Sequence, residues 1–167
     1  MSYGNKGNEE LLFQYGFSIT ENPQDTVMVL SPLSQEDPLF SDKVGLLQAL
    51  GYGPRMMFDS AGELDATSAE VARITVLDDG DLGAIGDKIA LLEKSGSWTP
   101  GPVTPENERR MAEVLTALLE QYLARLHEIS ITASEIQDSL NLRFLSYYCA
   151  GQIKATKAAL TNLANLK

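Results

Sequence analysis

A chain of 167 residues in which 44% of the side chains are hydrophobic has enough apolar surface to fold as one medium unit with its own core, and is not a disordered tail. Its net charge of -10, with no Lys/Arg-rich stripe, excludes a nucleic-acid binder, which must neutralise phosphates. No apolar run approaches about twenty residues and the amino end lacks a basic segment followed by an apolar one, so neither a membrane span nor a signal peptide is expected and the chain reads as soluble and intracellular.

The amino end carries a tyrosine on a loop, Tyr3, followed by a short helix with both of its ends marked. Asn8 is a good N-cap, Glu9 and Glu10 put negative charge beside the first unpaired N–H groups, and Gly16 can take the left-handed conformation that stops a helix. Leu11, Leu12 and Tyr15 stand three and four apart, which assigns Tyr15 to the buried stripe, with Phe17 leaving the helix beside it. Aromatic rings then converge near Tyr3. After the Asn22-Pro23 turn, Thr26 to Leu30 is a β-rich run that reads as a strand ended by Pro32.

Ser34 or Ser41 can cap the next helix, which carries Leu39, Phe40, Val44, Leu47 and Leu50 before Gly51 stops it. Tyr52 to Asp65 reads as a loop holding one short strand around Met56-Met57-Phe58. Two short helices, Thr67 to Leu77 and Leu82 to Leu92, are expected on either side of the acidic turn Asp78-Asp79-Gly80-Asp81. That turn fails the EF-hand template, because Ala90 stands where the twelfth-position acid should be; aspartates capping a helix account for it better. Gly83-x-x-Gly86 lacks the following Lys-Ser/Thr of a phosphate loop. No metal site is expected.

Ser95 to Pro102 reads as a hinge into the final helices. There Thr104 caps, Pro105 takes the first helical position, and Met111, Val114, Leu115, Leu118, Leu119, Tyr122, Leu123 and Leu126 form a stripe. Thr132 and Glu135 make a capping box with Ile136 and Leu140 inward. Leu145, Cys149, Ile153, Thr156, Leu160 and Leu163 predict a last long helix antiparallel to the first. Arg109, Arg110, Lys154 and Lys157 read as solvent-facing. Cys149, the one cysteine, excludes an internal disulfide framework. Acidity concentrates in residues 34–104, where 12 acidic side chains face 5 basic ones. Such a segment can steer a basic partner, although a solvated surface is the simpler reading.

The pattern Tyr-Gly-x-x-x-Asn-x-Glu-Leu-Leu-x-x-Tyr-Gly-Phe over residues 3–17, followed by Asn22-Pro23-x-Asp25-x-Val27, resembles the carboxyl end of the SET domain in the Rubisco large-subunit lysine methyltransferase group. That group includes histone-lysine and actin-histidine methyltransferases. The rest of the chain is similar to its helical substrate-binding domain, through Asp37-Pro38-Leu39 with Lys43 and Leu46-Leu47, then Asn107-Glu108, then Gly151 and Lys154. The resemblance implies a mainly α fold: a small α+β remnant of a SET domain at 1–33 and an all-helical substrate-binding domain at 34–167. It implies Tyr3 as the catalytic phenol, and Asn8, Tyr15 and Phe17 in the substrate and cofactor pocket. The Asn-His pair and Gly-rich strand that bind S-adenosylmethionine in that group lie upstream of this motif and are not among these residues. The implied cofactor therefore belongs to a complete enzyme, and the chain is expected to be an inactive carboxyl-terminal fragment that binds a lysine-containing protein substrate. Gly7 stands where relatives carry Ser, which is expected to loosen the turn holding Tyr3. The other reading is a stand-alone helical module that binds a protein segment without catalysis.

Overall fold

The computed structural model describes residues 4–129 and 131–165, so Tyr3 lies outside the described residues. In chain order the elements are α1 (Asn8–Tyr15), β1 (Val27–Leu30), α2 (Phe40–Ala49), β2 (Arg55–Phe58), α3 (Ala66–Thr75), α4 (Asp79–Ser95), α5 (Pro105–Glu128), α6 (Ala133–Asp138) and α7 (Leu140–Ala164). The expected mainly α architecture with a small α+β portion is what forms.

The long helices α5 and α7 pack along one another at the centre, and the two-stranded sheet lies on them. β1 and β2 run antiparallel, with Val27 opposite Phe58 and Leu30 opposite Arg55. Strand alternation sends Val27, Val29, Met56 and Phe58 into the core and leaves Leu30 and Met57 facing outward. β1, from the amino-terminal portion, thus shares its ladder and core with residues of the helical portion. α3 covers β2 and α5, and α2 packs on α3.

Local end signals act where the sequence places them. Thr104 accepts from the Asn107 N–H with Pro105 at the helix start, Thr132 and Glu135 close a capping box, and Gly16 ends α1 in the left-handed region at φ 74. The acidic turn opens α4 rather than merely preceding it: Asp78 and Asp81 form a reciprocal capping box, and the helix runs on to Ser95.

Three expectations differ from what forms. Neither Ser34 nor Ser41 caps α2; the Asp37 carboxylate accepts from the Leu39 N–H at 2.8 Å and pairs with Lys43 at 2.6 Å. The buried face of α7 is Cys149, Gln152, Ala155, Thr156, Ala159 and Leu163, with Ile153 and Leu160 only half-buried. Small residues win that face because backbone comes so close. At Gly62 (φ +79) a Cβ would sit 2.2 Å from the Ala159 nitrogen, and Asn162 donates to the Gly62 carbonyl at 3.0 Å. Leu140 is 58% exposed, because it starts α7 rather than closing α6.

Polar networks hold the periphery. Arg110 is not solvent-facing: it pairs with Asp78 at 3.0 Å and with the buried Asp81, and donates to the Val76 carbonyl. Asp81 also accepts from Thr104 at 2.8 Å and Asn107 at 3.0 Å, tying the start of α4 to the start of α5. Ser95 to Pro102 is a tethered strap, not a free hinge. The buried Glu70 accepts from the Trp98 indole at 2.8 Å, the Gly101 N–H at 2.9 Å and Arg73 at 2.7 Å.

Candidate functional site

The motif residues that the structure describes form a corner where α1 and the following loop meet α7. Asn8 is fully buried, and its role differs from the expected side-chain cap. Its amide Nδ2 donates to the Ile19 carbonyl at 2.9 Å and to Asp25 Oδ2 at 3.0 Å. Its Oδ1 accepts from the Ile19 N–H at 2.9 Å and from Asn22 at 3.4 Å. All four side-chain positions of an amide are thereby occupied within the protein, so Asn8 acts here by positioning its surroundings. Capping passes to Asp25, whose Oδ1 accepts the Asn8 backbone N–H at 2.7 Å from across the loop.

Asp25 is 2% exposed. Burial pushes its carboxyl above the ordinary carboxylate range, with the bonds from Asn8 opposing the rise. It lies flat against α7 because residue 151 has no side chain: a Cβ there would come within 2.2 Å of Oδ2. Gly7 serves the same end. A Cβ on Gly7 would press on the Gln24 carbonyl at 2.9 Å, so glycine tightens the approach of the two segments instead of loosening it.

On this base stand the aromatics. The rings of Tyr15 and Phe17 are 6.2 Å apart, and Phe17 meets Phe144 of α7 edge-on at 6.3 Å. Ser18 donates to the Phe144 carbonyl, which locks the loop to the helix. Contrary to the periodicity argument, Tyr15 is not core: it is 48% exposed, and Phe13 and Ile19 are exposed as well, at 90% and 44%. Leu11 alone among the α1 side chains in that apolar set is fully buried, since α7 covers only one narrow edge of so short a helix.

Behind the corner, Tyr122 donates to Gln152 at 2.9 Å and Gln152 donates to the Thr26 carbonyl at 3.0 Å. Burial, reinforced by Tyr122, holds the Tyr148 phenol far above its ordinary value, and burial also raises the Cys149 thiol. None of these groups is poised as an acid, base or nucleophile near neutral pH. Among the described residues no cluster of His, Cys, Asp and Glu could hold a metal ion, and no helix is long and apolar enough to cross a membrane.

No protein-family model and no characterised protein matches the chain by sequence. Solved structures do match. Rubisco LSMT bound to AdoMet superposes with a TM-score of 0.72 at 19% identity, over 97% of this chain and 39% of that one. Rubisco LSMT bound to sinefungin and monomethyllysine gives 0.71 at 17%, again over 97% and 39%. The SET domain of LSMT bound to lysine and AdoHcy gives 0.71 at 16%, over 97% and 37%. This chain has the fold of the part of LSMT on which it superposes. The likeness is one of fold, and the chain spans 39% of the length of the first of those proteins.

Sequence reasoning found Asn8, Tyr15 and Phe17 through local pattern. It quoted Asp25 and Gly151 but gave neither a role, because their meeting joins residues 126 positions apart. Within the corner, Asn8 has its hydrogen-bonding positions filled by the protein, and Tyr15 and Phe17 stand ring to ring at 6.2 Å.

Proposed function

We propose that this chain is the carboxyl-terminal, substrate-binding part of an S-adenosylmethionine-dependent protein-lysine methyltransferase. In this reading residues 1–33 complete a SET domain and residues 34–167 bind the protein substrate. Tyr3 supplies the phenol that orients the acceptor amine, and Asn8 fixes the corner. Tyr15 and Phe17 wall the lysine channel, where aromatic faces suit a cationic, methylated side chain. The methyl donor is held by the remainder of the SET domain, and the chain alone is inactive.

The observation that carries this reading is the exposure of aromatic side chains on a rigidly tethered corner. Phe13 at 90% exposure and Tyr15 at 48% project from a helix whose underside is fixed by Asn8 and Asp25. Large apolar side chains left exposed around so short a helix fit a surface that a partner covers. In a SET-type enzyme it would meet the catalytic module.

Immunopurification of the native polypeptide through an antibody to α7, followed by intact mass measurement and hydroxyl-radical footprinting, tests the proposal. A species heavier than 18.2 kDa with Phe13 protected is expected. An 18.2 kDa species in which Phe13 reacts as its exposure dictates would overturn it.

A further inference from the structure

A second feature is lined by residues 39–96, apart in sequence from the motif residues of the aromatic corner, and no part of the methyl-transfer reading uses it. Between α2 and α4 runs a groove enclosing about 430 Å³. Leu46 forms its α2 wall, and Leu82, Ile85, Ile89 and Leu92 form the α4 wall at helical spacing. Over those α4 positions the apolar stripe extends for about three turns, or about 15 Å. α4 makes no close backbone pairing with another helix; Ile85 is buried in the core, while Leu82, Ile89 and Leu92 stay partly exposed along the groove.

Glycine keeps one side of the groove open. Gly45 of α2 lines the groove, and a Cβ built on it would meet nothing within 4 Å. A helix interior ordinarily disfavours glycine, so an open glycine facing an apolar groove gives room for a side chain from elsewhere. Gly83 and Gly86 of α4, exposed and outside the groove lining, weaken that helix.

The lips are acidic. Asp42 stands on the α2 side and Glu93 on the α4 side. Lys43 is buried against Asp37 at 2.6 Å and Lys88 turns away to the Gly101 carbonyl and the Trp98 ring, while Lys94 at the end of α4 follows Glu93. The surrounding segment, 34–104, carries 12 acidic against 5 basic side chains. A second copy of a chain of net charge -10 would bring like charge to this surface, which disfavours self-association.

We infer that the α2–α4 groove is a docking site for a basic amphipathic helix, which lays its apolar stripe between Leu46 and Ile89 and sets its lysines or arginines against Asp42 and Glu93. This is helix-in-groove recognition with charge fixing the sign of the partner. It deepens the substrate-binding reading, but its test needs no methyl transfer, so the two can fail separately.

The full chain is titrated against a fluorescein-labelled peptide of about 18 residues, leucines at i, i+3, i+4 and i+7 and lysines elsewhere, by fluorescence anisotropy at low and high salt. Saturable binding that weakens with salt is expected, with at least a tenfold loss on Gly45→Leu, which adds a side chain to the groove from an open backbone position. A similar loss and a flatter salt dependence are expected on combining Asp42→Lys with Glu93→Lys. A scrambled peptide of the same composition should bind at least tenfold more weakly, and so should the peptide with glutamates for lysines. Equal binding of the scrambled peptide would reveal mere charge adsorption and overturn the proposal. Equal binding of the acidic peptide, insensitivity to Gly45→Leu, or concentration-dependent dimerisation abolished by Gly45→Leu would each overturn it as well.

Discussion

The Asp25 carboxylate and the Gly151 backbone occupy adjoining space, so closely that a single methyl group at residue 151 would fall 2.2 Å from Asp25 Oδ2. Asp25 cannot swing aside, because both of its oxygens are held by Asn8, at 2.7 and 3.0 Å. Gly→Ala inside a helix ordinarily stabilises; here overpacking should reverse the sign, and Gly151→Ala should cost about 2 kcal/mol. Urea unfolding measures it. In an Asp25→Ala background the same substitution should become neutral or favourable, a coupling that a double-mutant cycle isolates. A more stable Gly151→Ala single variant would show that the corner is loose.

Asp25 should titrate above the ordinary carboxylate range, because burial without a cation outweighs its hydrogen bonds. A raised folded pKa means that the folded state binds the proton more tightly than the unfolded state. The stability contributed by this group is therefore complete below the unfolded value, about 3.9, and is lost as pH rises through the raised folded value. A carboxyl-carbon NMR titration reads the midpoint; one at or below the ordinary value would contradict the buried assignment.

The Asp81 site has the opposite sign. Burial alone would raise its carboxyl, but bonds from Thr104, Asn107 and the Asp78 N–H, together with Arg110, outweigh burial and lower it. Its contribution is present above the unfolded pKa and lost as pH falls through the folded one. Arg110→Ala removes the cation from a carboxylate that is 2% exposed and should cost about 3 kcal/mol at neutral pH. That loss should shrink on acidification. A loss independent of pH would assign the effect to packing of the arginine stem.

Helix ends were legible because their signals are local: Thr104 with Pro105, Asp78 with Asp81, and Thr132 with Glu135 each satisfy N–H groups within a few residues of themselves. The α5 stripe was legible because large apolar residues mark it. The α7 face was not, since Ala155 and Ala159 are buried to admit the backbone of a hairpin loop, and small residues carry little periodic signal. Arg110 and Trp98 could not be placed because their partners, Asp81 and Glu70, lie 29 and 28 positions away. At the corner, the pattern named Asn8, Tyr15 and Phe17 while their burial followed from which edge of α1 faces α7. No local pattern encodes that orientation.

The strap carrying Trp98 offers an optical check, as it is the one tryptophan of the chain. Glu70 receives both the indole N–H and the Gly101 N–H, so Glu70→Ala should free the strap and leave Arg73 with Glu108 alone. A red shift of tryptophan emission is expected below the global unfolding transition, with a stability loss of about 2 to 3 kcal/mol. Unchanged emission would mean that packing, not Glu70, holds the strap.

Transfer of tritium from methyl-labelled S-adenosylmethionine to protein lysine, assayed with the immunopurified native polypeptide, bears most directly on the proposed function. Label should appear in lysine and should fall about tenfold on Tyr15→Ala, the loss expected when one aromatic wall of a cationic channel is removed. Absence of lysine label with the wild-type native polypeptide would contradict the methyltransferase reading and leave a helical binding module.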